Sequence, residues 1–316
     1  MPVAAIDVGT NTAKLVVAEP GDPAGLRVLH DDRRFIRLGE GVDATRRIQP
    51  AAVERLLAAL TDLRDAAHAH GASDVFVGAT SASRDADNVA DVIEAVRAST
   101  GLAYTILSGD DEAALAFAGA LSAFPAPRSP VAVVDIGGGS TELVGRTPGA
   151  DGFAARSPSE FDFRTSLDIG SVRLTERCFS AQPPAPGEAE AAEAFVRGLL
   201  AASGVPHEPG RLLVGAAGTT GSLARLHHGF LDWADLRGRP VTLARADVQA
   251  WRTRLAPLPY DATLALNPRV LHGRADIFHA GTIILDEVMG LLGADRLLVS
   301  PCGLRHGLAL RALGRA

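Results

Sequence analysis

The chain has 316 residues, of which 47% are hydrophobic and 22% are charged. This length favours two domains, and the composition is typical of a folded protein rather than a disordered or fibrous one. The net charge of -6 argues against non-specific nucleic-acid binding, so a polyanionic ligand would need a local basic patch. The sequence shows no targeting signal, no membrane-length apolar run and no CxxC motif, which predicts a reducing, cytoplasmic location without nucleic-acid or membrane partners.

The predicted elements form two similar series along the chain. The first contains an apolar hairpin at 3–17, a strand at 35–38, a helix at 50–70, a strand at 74–79, a helix at 88–100, a strand at 103–107 and a helix at 110–122. A proline-rich segment at 124–130 follows, which predicts a first domain of residues 1–126 and a second of residues 127–316. The second series contains a hairpin at 131–144, strands at 163–167, 211–216 and 296–300, helices at 171–178 and 275–292, a helix ending near 200, and a short terminal helix.

The two hairpins match each other at a constant offset. In each, a buried apolar strand ends in an aspartate, Asp7 or Asp135, and a turn rich in Gly, Ser, Thr and Asn leads into a second apolar run. Such turns allow the backbone to approach a ligand, and successive N–H groups can form an anion-binding nest. The predicted phosphate-binding residues are Gly9, Thr10, Asn11 and Thr12 in the first turn, and Gly137, Gly138, Gly139, Ser140 and Thr141 in the second.

Two such hairpins facing each other across a cleft would hold a phosphoanhydride from both sides. Each could instead be a tight turn in a duplicated scaffold. The aspartates suit Mg²⁺ or a metal-bound water, since carboxylates bind hard cations and not phosphate itself. A Walker A loop is excluded, because Lys14 is the only lysine and follows Ala13 rather than glycine.

Six segments together resemble the exopolyphosphatase/guanosine pentaphosphate phosphohydrolase family, within the actin–sugar kinase–Hsp70 superfamily. They are Ala-Ile-Asp-Val-Gly-Thr-Asn-Thr at 5–12, Ala-Thr-Ser-Ala-Ser-Arg-Asp-Ala-Asp-Asn at 79–88, Leu-Ser-Gly-Asp-Asp-Glu-Ala at 107–113, Val-Asp-Ile-Gly-Gly-Gly-Ser-Thr-Glu at 134–142, and the segments at 166–176 and 274–285. The resemblance implies an α/β fold of two actin-like (ribonuclease H-like) domains with a cleft between them. It also implies Mg²⁺ or Mn²⁺ as cofactor and a homodimer. In this superfold the last helix, at 305–313, can cross back onto the first domain.

The resemblance assigns the general base to Glu112. Arg84, which follows a predicted strand through a serine-rich turn, could stabilise negative charge on the attacked phosphoryl group. Glu142 resembles a carboxylate that assists the metal, which gives Asp7, Asp135 and Glu142 as predicted metal ligands. A helix-dipole role for Glu112 and a surface ion pair for Arg84 are the plainer alternatives.

Three positions depart from the pattern of the family. Ala114 stands where many relatives carry arginine, and His306 replaces a common glutamate. Lys14 lies where relatives usually have neutral or histidine side chains, so it either adds charge near the phosphates or points to solvent.

Four functions remain open from the sequence. The first is release of orthophosphate from the end of inorganic polyphosphate, and the second is hydrolysis of guanosine pentaphosphate by the same site. A small-molecule kinase would need an adenosine pocket, to which the glycine-rich segment 215–221 and the Gly281 region could contribute. A non-enzymatic regulator is disfavoured because both loops, the acid and the arginine are present.

Overall fold

The computed structural model describes residues 1–21, 25–148 and 161–315, which divide into two structural units. The first unit comprises Met1–Ala123 and Cys302–Ala316, and the second comprises Phe124–Pro301. The chain therefore leaves the first unit three residues before the predicted boundary at 126, and its C-terminal segment belongs to the first unit. Within the described ranges, no helix combines the length and the apolar character needed to cross a membrane.

The first unit is built on a five-stranded mixed sheet in the order β3-β2-β1-β4-β5. Its strands are β1 (Val3–Val8), β2 (Thr12–Pro20), β3 (Leu26–Phe35), β4 (Val75–Ala79) and β5 (Tyr104–Ile106). β1 pairs with β2 antiparallel and with β4 parallel, and β4 pairs with β5 parallel. The helices are α1 (Val42–Thr45), α2 (Pro50–Ala69), α3 (Ser81–Asp85), α4 (Val89–Thr100), α5 (Gly109–Leu121) and the C-terminal helix (Leu304–Ala312).

Helices cover both faces of the first sheet, which is why every residue of β1 except Asp7 is apolar. Alternate side chains of a strand point to opposite faces. Ala4, Ile6 and Val8 accordingly pack into the cluster that contains the buried residues of α2 and α4. Val3 and Ala5 pack into the cluster formed with α5 and the C-terminal helix.

The third strand differs from its prediction at 35–38, which was wrong. The strand ends at Phe35, and it is an edge strand whose residues are half-exposed or exposed and include the charged run Asp-Asp-Arg-Arg at 31–34. An edge strand of this kind lacks the buried apolar pattern by which strands are identified. Ile36 and Leu38 are fully buried but lie in the segment that follows the strand.

The second unit repeats this order and adds one strand. Its six-stranded sheet has the order β10-β11-β9-β6-β7-β8, so β8-β7-β6-β9-β11 corresponds to β3-β2-β1-β4-β5. The strands are β6 (Val131–Ile136), β7 (Thr141–Arg146), β8 (Phe163–Leu167), β9 (Leu212–Ala216), β10 (Thr242–Ala244) and β11 (Arg296–Val299). This duplication confirms the predicted α/β class with two actin-like domains.

The helices of the second unit surround one large apolar core. They are α6 (Ser171–Cys178), α7 (Glu188–Ala202), α8 (Ala217–His228), α9 (Arg245–Leu255), α10 (Tyr260–Leu266), α11 (Pro268–Leu271) and α12 (Phe278–Leu291). Helix α8 occupies most of the glycine-rich segment from which an adenosine loop was considered. β10, α10 and α11 have only three, seven and four residues, which explains why the periodicity of the sequence did not predict them.

The C-terminal helix packs against α5 through two glycines. A Cβ atom added at Gly119 would overlap the backbone of Gly303 and lie 2.7 Å from the Gly307 nitrogen, and one added at Gly307 would overlap the backbone of Leu115. An Arg311–Asp111 ion pair of 3.1 Å joins the same two helices. The two backbones therefore approach each other at a distance that no larger side chain permits.

We expect Gly119→Ala to destabilise the first unit by about 1–3 kcal/mol, because the new methyl group forces the C-terminal helix away from α5. The midpoint of urea denaturation should fall accordingly. The matched control is Gly198→Ala in α7, where a Cβ meets nothing within 4 Å. That change should leave the midpoint unchanged or raise it, since alanine is the better helix former. Equal midpoints for both variants would contradict the close packing.

Candidate active site

Both predicted loops close with the same hydrogen bond. The Gly9 N–H donates to the Thr12 carbonyl at 2.9 Å, and the Gly137 N–H donates to the Ser140 carbonyl at 2.9 Å. Each bond follows directly after the strand that carries the aspartate. The two turns are therefore structural copies, as their sequences predicted.

The first loop is anchored through its carbonyl groups. The Thr10 carbonyl accepts from the Gly39 N–H at 2.9 Å, and the Asn11 carbonyl accepts from the N–H groups of residues 36 and 37 at 3.0 and 3.1 Å. In a planar trans peptide the N–H points away from the carbonyl of the same peptide group. The N–H groups of Asn11 and Thr12 consequently point away from the segment that holds the loop.

The second loop is anchored in the same manner, by the first turn of α6. The Gly137 carbonyl accepts from the Ser171 N–H at 3.0 Å, and the Gly138 carbonyl accepts from the N–H groups of Val172 and Arg173 at 2.8 and 3.1 Å. These are N–H groups that a helix cannot satisfy internally. The planar peptides then turn the N–H groups of Gly138 and Gly139 away from α6, where they can receive an anion.

Two further contacts fix the second loop. The Thr141 hydroxyl donates to the Ile169 carbonyl at 2.6 Å. A Cβ atom at Gly170 would overlap the Gly138 carbonyl carbon, so the segment that precedes α6 lies directly against the loop backbone. Sequence reasoning did not single out Gly170, although it lies within the segment 166–176 that carries the resemblance.

The predicted base and arginine contact each other in the first unit. The Arg84 Nη1 atom donates to the Glu112 Oε2 atom at 2.5 Å and to the Leu107 carbonyl at 3.1 Å. Glu112 lies in the first turn of α5, whose N-cap Ser108 accepts from the Asp111 N–H at 3.0 Å. The Glu112 side chain is 8% exposed and that of Arg84 is 20% exposed. The arginine therefore fixes the orientation of a nearly buried carboxylate.

The first loop, Arg84 and Glu112 lie at the same end of the first sheet, beyond the carboxyl ends of its parallel strands. The first loop follows β1, Arg84 follows β4, and Glu112 follows β5, three neighbouring parallel strands. The Thr80 N–H donates to the Val8 carbonyl at 3.1 Å, and the Leu107 N–H donates to the Ala79 carbonyl at 2.9 Å, so the three strand ends are held together. Ligands bind at the carboxyl ends of such strands.

The three predicted metal ligands have different surroundings. Asp7 forms an ion pair with Lys14, with 3.1 Å between Oδ2 and Nζ. Asp135 lies opposite Glu142 in the β6–β7 pair, and the Glu142 Oε1 atom accepts from the Ser166 hydroxyl at 2.7 Å. The described part of the chain contains no group of three or more His, Cys, Asp or Glu side chains placed to hold a metal. Two opposed carboxylates nevertheless fit Mg²⁺, which keeps several waters or phosphate oxygens as ligands.

A cavity of about 210 Å³ lies in the second unit and contains none of the predicted site residues. Its lining includes Thr175, Phe179 and His279, so it lies toward the C-terminal end of α6, whereas the second predicted phosphate loop contacts the N-terminal end. Burial, together with the positive charge of Arg252, lowers the pKa of His279 to about 4. The imidazole is therefore neutral at pH 7.

Comparisons with a family model and with known proteins indicate the same family. The model of the Ppx/GppA phosphatase family matches residues 16–316. Exopolyphosphatase 2 of Mycobacterium tuberculosis is 37% identical over 329 residues, covering 99% of this chain and 98% of the relative.

Solved structures agree with that comparison. The crystal structure of an exopolyphosphatase-like protein has a TM-score of 0.88 and 28% identity, covering 98% of this chain and 97% of the other. The Ppx/GppA family member of Aquifex aeolicus has a TM-score of 0.78 and 27% identity, covering 99% of this chain and 98% of the other.

We expect Gly170→Ala to weaken pyrophosphate binding at least about tenfold, because displacing the second loop at a cost of 1–3 kcal/mol disorders its N–H groups. Isothermal titration calorimetry measures the affinity, and the far-ultraviolet circular dichroism should be preserved. Gly198→Ala serves as the control in the same unit and should bind pyrophosphate like the unmodified protein. Unchanged affinity in Gly170→Ala would show that this loop does not bind phosphate.

Proposed function

Because the chain belongs to the Ppx/GppA phosphatase family, we propose that it is an exopolyphosphatase, which hydrolyses the terminal phosphoanhydride bond of inorganic polyphosphate and releases orthophosphate. The relative named exopolyphosphatase 2, with 37% identity over almost the full length of both chains, supports this substrate. The observation that carries the proposal is the Arg84–Glu112 pair, which lies at the same carboxyl end of the sheet as the first predicted phosphate loop.

Glu112 acts as the base in this proposal. Hydrolysis requires an oriented water, an acceptor for its proton and stabilisation of phosphoryl charge. As the water oxygen bonds to the terminal phosphorus, the Glu112 carboxylate takes a proton from that water. The bridging P–O bond breaks, and the shortened polyphosphate leaves with the electron pair.

Arg84 has two tasks in the same step. Its contact at 2.5 Å keeps the Glu112 carboxylate in one orientation, and general-base catalysis depends on that orientation. Its guanidinium also provides positive charge next to the attacked phosphoryl group. The anchored turns supply N–H groups for the phosphate oxygens.

The metal in this proposal is Mg²⁺ or Mn²⁺, held by Asp135 and Glu142, with Asp7 as the further predicted ligand. When bound, such an ion offsets the negative charge of the phosphate groups. The facing of the two loops across a cleft, the homodimer and the cytoplasmic location stay predictions.

The kinase alternative loses support from the packing of the glycine-rich segment. A Cβ at Gly218 would overlap the Arg274 guanidinium, one at Gly221 would overlap the Trp233 ring, and one at Gly281 would lie 2.7 Å from the Thr219 hydroxyl oxygen. Side chains of the same unit therefore explain the small residues for which an adenosine pocket was considered. Guanosine pentaphosphate remains an alternative substrate, because the same terminal phosphate chemistry serves both.

We expect Glu112→Gln to reduce the rate of phosphate release by about 10²–10⁴-fold, because glutamine keeps the shape of the side chain but cannot accept the proton. The matched control is Asp110→Asn, a neighbouring acid in the same helical turn, which should retain most of the activity. Circular dichroism should show both variants folded. A Glu112→Gln variant with near-normal turnover would refute the assignment of the base.

The substrate is tested by measuring phosphate release with Mg²⁺ from polyphosphates of several lengths and from guanosine pentaphosphate under the same conditions. We expect polyphosphate to give the higher kcat/KM. A clear preference for guanosine pentaphosphate would replace the proposed substrate while keeping the chemistry. Release from neither, together with ATP-dependent phosphorylation of a sugar or carboxylate, would overturn the hydrolase proposal.

A further inference from the structure

The segment that holds the first predicted phosphate loop has an unusual backbone conformation of its own. Arg37 has a φ of 45°, in the left-handed region that residues other than glycine seldom adopt. Its N–H donates to the Asn11 carbonyl at 3.1 Å, next to the N–H of Ile36 at 3.0 Å. A conformation of this kind persists only where the surrounding structure enforces it.

Arg55 of α2 supplies that constraint. Its Nε atom donates to the Ile36 carbonyl at 2.8 Å, and its Nη2 atom donates to the Arg37 carbonyl at 3.4 Å. These two carbonyl groups lie on either side of the Arg37 Cα atom. One planar guanidinium group therefore holds both of the peptide groups whose relative orientation the φ and ψ angles of Arg37 describe.

Two successive peptide groups connect Arg55 to the loop. The Ile36 carbonyl and the Arg37 N–H belong to one peptide group, and in a planar trans peptide they point in opposite directions. Arg55 therefore holds one side of this group while the Asn11 carbonyl holds the other. The Asn11 carbonyl shares its own peptide group with the Thr12 N–H, so the same rule directs that N–H away from Arg37.

A surface ion pair is the plainer role for Arg55, and it is a weak one. The Arg55 Nη2 atom and the Glu40 Oε2 atom are 3.3 Å apart, and the two side chains are 39% and 61% exposed. Ion pairs with such exposure contribute little to stability. The contact with the Ile36 carbonyl is shorter, so the main chain is the principal partner of this side chain.

We propose that Arg55 is a positioning residue for the first predicted phosphate loop. It fixes the backbone at Arg37, which in turn fixes the Asn11 carbonyl, and the Thr12 N–H is thereby presented to a phosphate oxygen. The inference deepens the proposed function and rests on it, because that function is what places a phosphate group at this loop.

The test measures two properties of the full-length protein. Isothermal titration calorimetry gives the affinity for pyrophosphate, and a ¹H–¹⁵N spectrum gives the Thr12 amide resonance without ligand. We expect Arg55→Met, which keeps an apolar stem but removes every donor, to weaken pyrophosphate binding about tenfold and to displace the Thr12 resonance. Arg55→Lys should give an intermediate affinity, because an ammonium group cannot hold two carbonyls as a planar fork does.

The matched control is Arg64→Met in the same helix. Arg64 also donates to a main-chain carbonyl, that of Thr100 at 2.8 Å, and its replacement changes the net charge by the same amount. Thr100 is the last residue of α4 and does not hold the loop. This variant should bind pyrophosphate like the unmodified protein and leave the Thr12 resonance in place.

Three results would overturn the inference. The first is unchanged pyrophosphate affinity in a folded Arg55→Met variant, and the second is an equal loss of affinity in Arg64→Met. The third is full affinity in Arg55→Lys while its Thr12 resonance stays displaced, because the contribution of Arg55 would then be its charge. If Arg55→Met fails to fold, the comparison of Arg55→Lys with Arg64→Lys decides the question.

The two measurements separate this inference from the proposed function. If the unmodified protein does not bind pyrophosphate, the proposed function fails at this loop. The Thr12 resonance needs neither phosphate nor turnover, so it still shows whether Arg55 positions the loop. A Thr12 resonance that stays in place in a folded Arg55→Met variant contradicts the inference whatever the activity of the protein.

Discussion

The planarity of the peptide group is the constraint on which the candidate site depends. In each hairpin, neighbouring backbone donors hold the turn by its carbonyl oxygens, so the N–H groups of the same peptides must face the other way. The second turn uses the first turn of α6 for this purpose. That helix terminus is satisfied by the Gly137 and Gly138 carbonyls, and the donors available to an anion are those of Gly138 and Gly139. We therefore propose that the loop, rather than the helix, binds the anion.

The proposed acid–base pair depends on a second constraint, the adjacency of parallel strand ends. Arg84 and Glu112 are separated in sequence but follow neighbouring strands. Hydrogen bonds of Thr80 and Leu107 hold these strand ends together, so the two side chains meet at the carboxyl end of the sheet. The two halves of the protein share one hairpin geometry but differ in charge. One hairpin has a lysine opposite its aspartate and the other a glutamate, while both have the same turn.

Much of this was predictable from the sequence, and the exceptions have physical causes. The matched hairpins, the α/β class and most helices follow from apolar periodicity, which long buried elements show strongly. The third strand was predicted at the wrong residues because β3 is an edge strand, and an edge strand need not be apolar. The segment of helix α8 was considered as a ligand loop because it is rich in glycine. The tertiary structure shows that these glycines allow close packing against Arg274 and Trp233. The contact of Lys14 with Asp7 likewise could be identified only from the strand register. The repeat in the sequence already aligns Lys14 with Glu142.

The most direct test of the account is a transverse-relaxation-optimised ¹H–¹⁵N spectrum recorded with and without imidodiphosphate, a non-hydrolysable phosphoanhydride analogue. We expect large shifts for the amides of Gly138 and Gly139, and for those of Asn11 and Thr12, because these N–H groups point away from their anchors. The amides of Ser171–Arg173 should change little, since loop carbonyls already occupy them. Large shifts at the start of α6 without shifts at the two glycines would contradict it.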